Sequence, residues 1–185
     1  STGIYASLNL GFATDDDPAA TVENRRRVEA VTPRTPAWLR QVHGTLVVDA
    51  ETATDRPEAD ASFTRQTNVV CAVMVADCIP VLLADEEGTT VAAAHCGWRG
   101  LAGGILENTV ARMTRAGIGR SRLIAYIGPG IGPSAFEVGS DVLEAFAAQD
   151  PLAAIHFRSG SGEFPYNPRS RAGTMRSTGT IGPPA

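Results

Sequence analysis

Val69-Val70-Cys71-Ala72-Val73-Met74-Val75-Ala76-Asp77-Cys78-Ile79-Pro80-Val81-Leu82-Leu83-Ala84-Asp85-Glu86-Glu87-Gly88-Thr89-Thr90-Val91-Ala92-Ala93-Ala94-His95 is the stretch that decides the architecture. Val69 to Val75 is a nearly continuous apolar run with the length and β-branching of a buried strand. Val81 to Ala84 and Thr90 to Ala94 read as two more strands, with Asp85-Glu86-Glu87-Gly88 as a hairpin turn between them. The third strand delivers His95. Gly97-Trp98-Arg99-Gly100 then breaks into a helix with Leu101, Ile105, Val110 and Met113 on one face. That helix ends near Ala116, with Gly117 as a left-handed stop.

Upstream, Asp17 caps a helix that has Pro18 in its first position and runs to Val31. Trp38 to Val42 and Leu46 to Asp49 read as strands across the His43-Gly44-Thr45 turn, and Thr52 to Asp60 as a loop. Downstream, Leu123 to Ile127 is a strand running into Gly128-Pro129-Gly130-Ile131-Gly132-Pro133. That segment lacks the dinucleotide-binding glycine pattern and reads as a tight turn. Ser140 is expected to cap a helix over Asp141 to Ala148, and Ala153 to Phe157 to form a last strand. Arg158 to Ala185 has few apolar residues and no period, so it reads as an irregular tail. The expectation is an α/β (α+β) chain: one domain over residues 1–157, with mixed β-sheets and flanking helices, then a tail over 158–185.

The chain has 185 residues, 43% of them hydrophobic, and a net charge of -4; all 16 basic residues are arginine. With no lysine, Schiff-base chemistry and a P-loop are excluded, and any anion falls to arginine, backbone N–H groups or a metal. Negative net charge argues against nucleic acid, and Arg25-Arg26-Arg27 reads as a solvated helix face. No apolar run is long enough for a membrane span, and the expectation from the first residues is that they are not a signal peptide. Three cysteines without a CxxC pair fit a reducing, cytoplasmic setting. Residue 1 is not methionine, from which the expectation is a chain that has lost its natural start.

Two imidazoles and a thiol sit where strands begin or end: His43, Cys78 and His95. Their separations match no zinc-finger or zinc-ribbon spacing. On the residues alone two readings stand: a shared metal site, or a polar turn histidine and a small core cysteine. Trp98 is either a core residue or a stacking platform.

The motifs Gln41-Val42-His43-Gly44, Ala59-Asp60-Ala61, Val75-Ala76-Asp77-Cys78-Ile79-Pro80-Val81, Ala94-His95-Cys96-Gly97-Trp98-Arg99-Gly100 and Ile127 to Pro133 with Phe136-Glu137-Val138 occur in a recognisable order. The chain resembles the bacterial polyphenol-oxidase-like, laccase-domain family, also described as purine nucleoside phosphorylases with adenosine deaminase activity. Tyr5-Ala6-Ser7-Leu8-Asn9-Leu10-Gly11 fits the same family, and the resemblance covers roughly residues 1 to 157.

The resemblance implies that His43, Cys78 and His95 hold one zinc ion, with a fourth position left open as in catalytic sites; copper is the alternative metal. It implies phosphorolysis of adenosine, inosine or methylthioadenosine, and deamination of adenosine, with a purine nucleoside and phosphate as the small-molecule partners. Cys78 and His95 would be catalytic through the metal. Asp77 is either a proton shuttle or a turn residue, Arg99 either the phosphate ligand or a surface cation, and Gln41 a contact to base or ribose. The chain would act as a monomer or small homo-oligomer.

Two departures from the family pattern stand out. Cys96 occupies a position where alanine is usual, either as an inert core thiol or as a redox liability. Gly130 and Ser134 stand where relatives often carry cysteines. The alternatives in function are a copper polyphenol oxidase, which three histidines cannot equip with a multi-copper cluster, a hydrolase editing cell-wall precursors, and a metal-stabilised binding module.

Overall fold

The structure, a computed structural model, describes residues 1–6, 8–115, 119, 122–159, 166–168 and 179–180. Helix α1 spans Pro18–Val31 and starts as expected, with the Asp17 carboxylate accepting from the Ala19 N–H at 2.9 Å. The strands that follow are Pro36–Ala37 (β1), Val47–Asp49 (β2), Ala61–Thr64 (β3), Val70–Cys71 (β4), Ile79–Asp85 (β5) and Val91–Cys96 (β6). Then come helices Trp98–Gly103 (α2) and Ile105–Arg115 (α3), strand Leu123–Ile127 (β7) and helix Ser140–Gln149 (α4). Short strands Phe157–Ser159 (β8), Tyr166–Pro168 (β9) and Gly179–Thr180 (β10) complete the described elements.

Six strands form one sheet in the order β10-β7-β5-β6-β3-β2, antiparallel except for the parallel β2–β3 pair. This is the expected mixed-sheet α/β class. Alternation along β5 and β6 turns Val81, Leu83, Ala92, Ala94 and Cys96 to one core, which Ile105 and Met113 of α3 close. The small side chains of Ala92, Ala93 and Ala94 fill a tightly enclosed central strand, each at most 3% exposed. No helix among the described residues is long and apolar enough to cross a membrane.

Several local expectations are corrected. Val69 to Val75 is not one buried strand: only Val70–Cys71 pairs, with β1, and Val75 is exposed. The Met74 N–H and carbonyl are instead taken by the Gln41 side-chain amide, at 2.8 Å each, so a loop is satisfied where a ladder was expected. Trp38 to Val42 is likewise no strand, because the Val42 N–H donates to the Asp60 carboxylate. The helix after Gly97 breaks at Gly104, which is left-handed at φ +94°. Its expected end at Ala116 and Gly117 lies outside the described residues.

Gly139, not Ser140, is the N-cap of α4. Pro151–His156 forms a 3₁₀ turn opened by the Asp150 carboxylate on the Leu152 N–H, which displaces the strand expected from Ala153. The basic run is split as well. Arg26 and Arg27 pair with Glu23 on the surface, whereas Arg25 is buried against the Phe12 and Trp38 rings and donates to the Leu10 carbonyl. Of residues 158–185, those described belong to β8, β9 and β10.

Candidate metal centre

Antiparallel pairing explains why Cys78 and His95 meet. Ile79 lies opposite Cys96 and Pro80 opposite His95, so the residue entering β5 and the penultimate residue of β6 share one end of the sheet. His43 arrives from the turn before β2. Its backbone is left-handed at φ +61°, a conformation histidine tolerates better than bulky or branched residues. The ligand atoms of His43, Cys78 and His95 all lie within 4.8 Å of one another.

Asp60, wholly buried, ties the arrangement together. Its carboxylate accepts from the backbone N–H groups of Val42 at 3.1 Å, His43 at 2.9 Å and Gly44 at 2.7 Å. It also pairs with His95 Nδ1 at 2.7 Å. One carboxylate thus shapes the strained turn that presents His43 and fixes the imidazole of His95, leaving Nε2 for a ligand. No role for Asp60 follows from the sequence pattern; its signal there is an acid enclosed by alanines ahead of a core strand.

The donor set suits a metal ion. Cys78 Sγ and His43 Nε2 are 3.7 Å apart, close to the spacing of two donors about 2.3 and 2.1 Å from a common zinc. Burial pushes the Cys78 thiol up from its ordinary value, and the Asp77 and Asp60 carboxylates add to the shift. A bound cation reverses that preference and stabilises the thiolate. Gly97 leaves the room these donors need: a Cβ there would stand 2.6 Å from His43 Cδ2 and 3.2 Å from Cys78 Sγ.

The family model described as multi-copper polyphenol oxidoreductase laccase matches residues 1–170. The chain belongs to this laccase family. A relative named purine nucleoside phosphorylase PA4543, from Pseudomonas aeruginosa, is 50% identical over 153 residues, covering 83% of this chain and 62% of the relative. Another, named purine nucleoside phosphorylase YfiH, from Escherichia coli, is 47% identical over 157 residues, covering 83% of this chain and 63% of its own length. The chain thus spans less than two thirds of these curated relatives. The crystal structure of Neisseria meningitidis protein NMB0706 is 47% identical and superposes with a TM-score of 0.84 over 91% of this chain and 68% of that one.

Within this member of the laccase family, the other expected site residues take different places. Asp77 is exposed, and its carbonyl accepts the Ile131 N–H at 2.8 Å, which docks the Gly128 to Pro133 loop beside the metal ligands. Arg99 is exposed and stacks on the ring of Trp98 at 4.2 Å, with no ion-pair partner among the described residues. Gln41 spends its amide on the Met74 backbone, a loop-bracing role beside His43. Cys96 is buried, and burial pushes its thiol up to about 12.

Proposed function

We propose that this chain carries a zinc-dependent purine nucleoside enzyme. It would split adenosine, inosine and methylthioadenosine with phosphate, giving free base and a pentose 1-phosphate, and would deaminate adenosine. One observation carries the reading: two imidazoles and a thiol converge with no fourth protein donor among the described residues, in a laccase family whose close relatives are named purine nucleoside phosphorylases.

His43, Cys78 and His95 would hold the zinc, which when bound would supply Lewis-acid chemistry. In phosphorolysis a phosphate oxygen bonds to C1′ as the C1′–N9 bond breaks, and the electron pair leaves with the purine. Arg99 is the residue proposed to hold the phosphate, because its guanidinium is exposed and without a carboxylate partner among the described residues. Asp77, on the loop entering β5, is proposed to move the proton that the departing base requires. Gln41 acts by bracing the loops that carry His43 and Met74.

A multi-copper oxidase reading finds less support in the donors. The sequence has three histidines, and His156 lies on the separate 3₁₀ turn at Pro151–His156.

Metal analysis of protein purified without added metal should find about one zinc per chain, and several coppers would exclude the assignment. Incubation with inosine, with and without phosphate, followed by chromatography tests the activity. Hypoxanthine released only with phosphate supports phosphorolysis; no release, together with cleavage of a cell-wall peptide precursor, would replace this reading with the editing hydrolase.

A further inference from the structure

Two adjoining shallow, open clefts of about 200 Å³ each lie beside α3 and share Arg112 and Arg115. One is lined by Phe63, Arg65, Arg112 and Arg115. The other shares Arg112 and Arg115 and reaches Thr45 and Asn108. None of His43, Cys78 and His95 lines either cleft.

We propose that this arginine-lined cleft binds a ligand carrying linked phosphate groups, such as pyrophosphate or the oligophosphate of a nucleotide. Three arginines from two separate elements border this cleft: Arg65 just past the end of β3, Arg112 and Arg115 from the last turn of α3. None of the three has an ion-pair partner among the described residues. The Glu51 carboxylate accepts from the Thr64 hydroxyl and the Arg65 backbone N–H through one oxygen, Oε1, and forms no ion pair with any of the three.

The carbonyl end of α3 favours cations and so accounts for Arg112 and Arg115. It does not account for Arg65, which a different element brings to the same cavity, nor for the cavity itself. Arg112 stacks over the Phe63 ring at 5.2 Å, which orients one guanidinium at the shared wall of the two clefts.

Charge and size select the ligand. A single phosphate monoester carries about -1.5 to -2 near neutral pH and leaves three cations under-compensated, whereas two linked phosphates match them. The two clefts meet at Arg112 and Arg115, so together they offer an extended anion surface rather than a single point. Planar, fork-shaped donors are the chemistry that recognises such oxygens, and with no lysine in the chain arginine alone can supply it.

Isothermal titration of the purified chain with pyrophosphate at low ionic strength should show binding that weakens as salt is added, since the three side chains are exposed. Read as the part of the signal that the arginine variants lose, inorganic phosphate should bind more weakly than pyrophosphate. The double variant Arg112→Ala, Arg115→Ala should lose about tenfold in affinity for each guanidinium removed. Cys78→Ala should keep the part of the pyrophosphate binding that the arginine variants lose, because that part does not depend on the metal centre. If the double variant fails to fold, Arg65→Gln alone should still cost about tenfold. The proposal is overturned if pyrophosphate does not bind, if the arginine variants bind it undiminished, if inorganic phosphate is bound as tightly by the site those variants remove, or if Cys78→Ala abolishes that same binding.

Discussion

Asp60 and His95 form a buried pair, carboxylate Oδ1 to imidazole Nδ1 at 2.7 Å, and the same carboxylate receives three N–H groups of the turn that carries His43. Two metal-binding side chains from distant parts of the chain are therefore set by one acid. Asp60→Asn places an amide NH₂ among donors, so one or more N–H groups lose their acceptor, at about 1–3 kcal/mol each. Metal affinity should fall about 10–100-fold, as for other lost partners of a ligating histidine. Competition against a zinc chelator checks the affinity and urea unfolding the stability; unchanged zinc retention would remove Asp60 from its positioning role.

Gly97 is required by the volume of the donors rather than by its own backbone angle. A methyl group at this position meets His43 Cδ2 at 2.6 Å, closer than real Cβ contacts come, and meets Cys78 Sγ at 3.2 Å. His43 must swing away, which breaks the three-donor set while leaving the sheet core intact. Gly97→Ala should therefore bind less than one metal per chain with an unchanged far-ultraviolet circular dichroism spectrum. Full metal occupancy in the variant would show that His43 has room to spare.

The hairpin from Ile79 to Cys96 was legible because alternation, turn composition and strand length all agreed, and its register alone brings Cys78 to His95. Val69 to Val75 misled for the opposite reason. Its apolar residues satisfy a strand pattern, but a side chain thirty-three positions away, Gln41, takes the Met74 backbone groups that a strand would have offered to a neighbour. Arg25 misled similarly, since neither Phe12 nor Trp38 is near it in a helical period. Asp60 was hidden because a carboxylate accepting four donors looks, in sequence, like any acid at the end of a polar loop. Long-range polar satisfaction is what a period or composition cannot show.

Asp85 sets a pH limit on the same hairpin. It is 3% exposed; burial alone would raise its carboxyl, yet the Thr90 N–H at 2.7 Å and the Thr89 hydroxyl at 2.8 Å hold it below its ordinary 3.8. A carboxyl lowered in the folded state adds stability above its unfolded value and loses that contribution as pH falls through the folded value. Thermal unfolding should therefore show a Tm that declines below about pH 4 with a share due to Asp85. In Asp85→Asn the neutral-pH Tm should be lower and the acid decline shallower. Parallel pH profiles for the two proteins would assign the acid sensitivity elsewhere.

Cys96 carries the last prediction, because its place beside a metal ligand invites a functional reading that its packing opposes. The thiol faces the core between Ala94 and α3, is 2% exposed, and is pushed up to about 12 by burial, so almost none is thiolate at neutral pH. Iodoacetamide should leave it unmodified in the folded protein and alkylate it only after denaturation, which peptide mass mapping resolves. Cys96→Ala should keep its metal and cost about 1 kcal/mol for the atom removed from the core. Rapid labelling of Cys96 in the native state, or loss of zinc on mild peroxide treatment in the parent but not in Cys96→Ala, would instead make this thiol a redox partner of the centre.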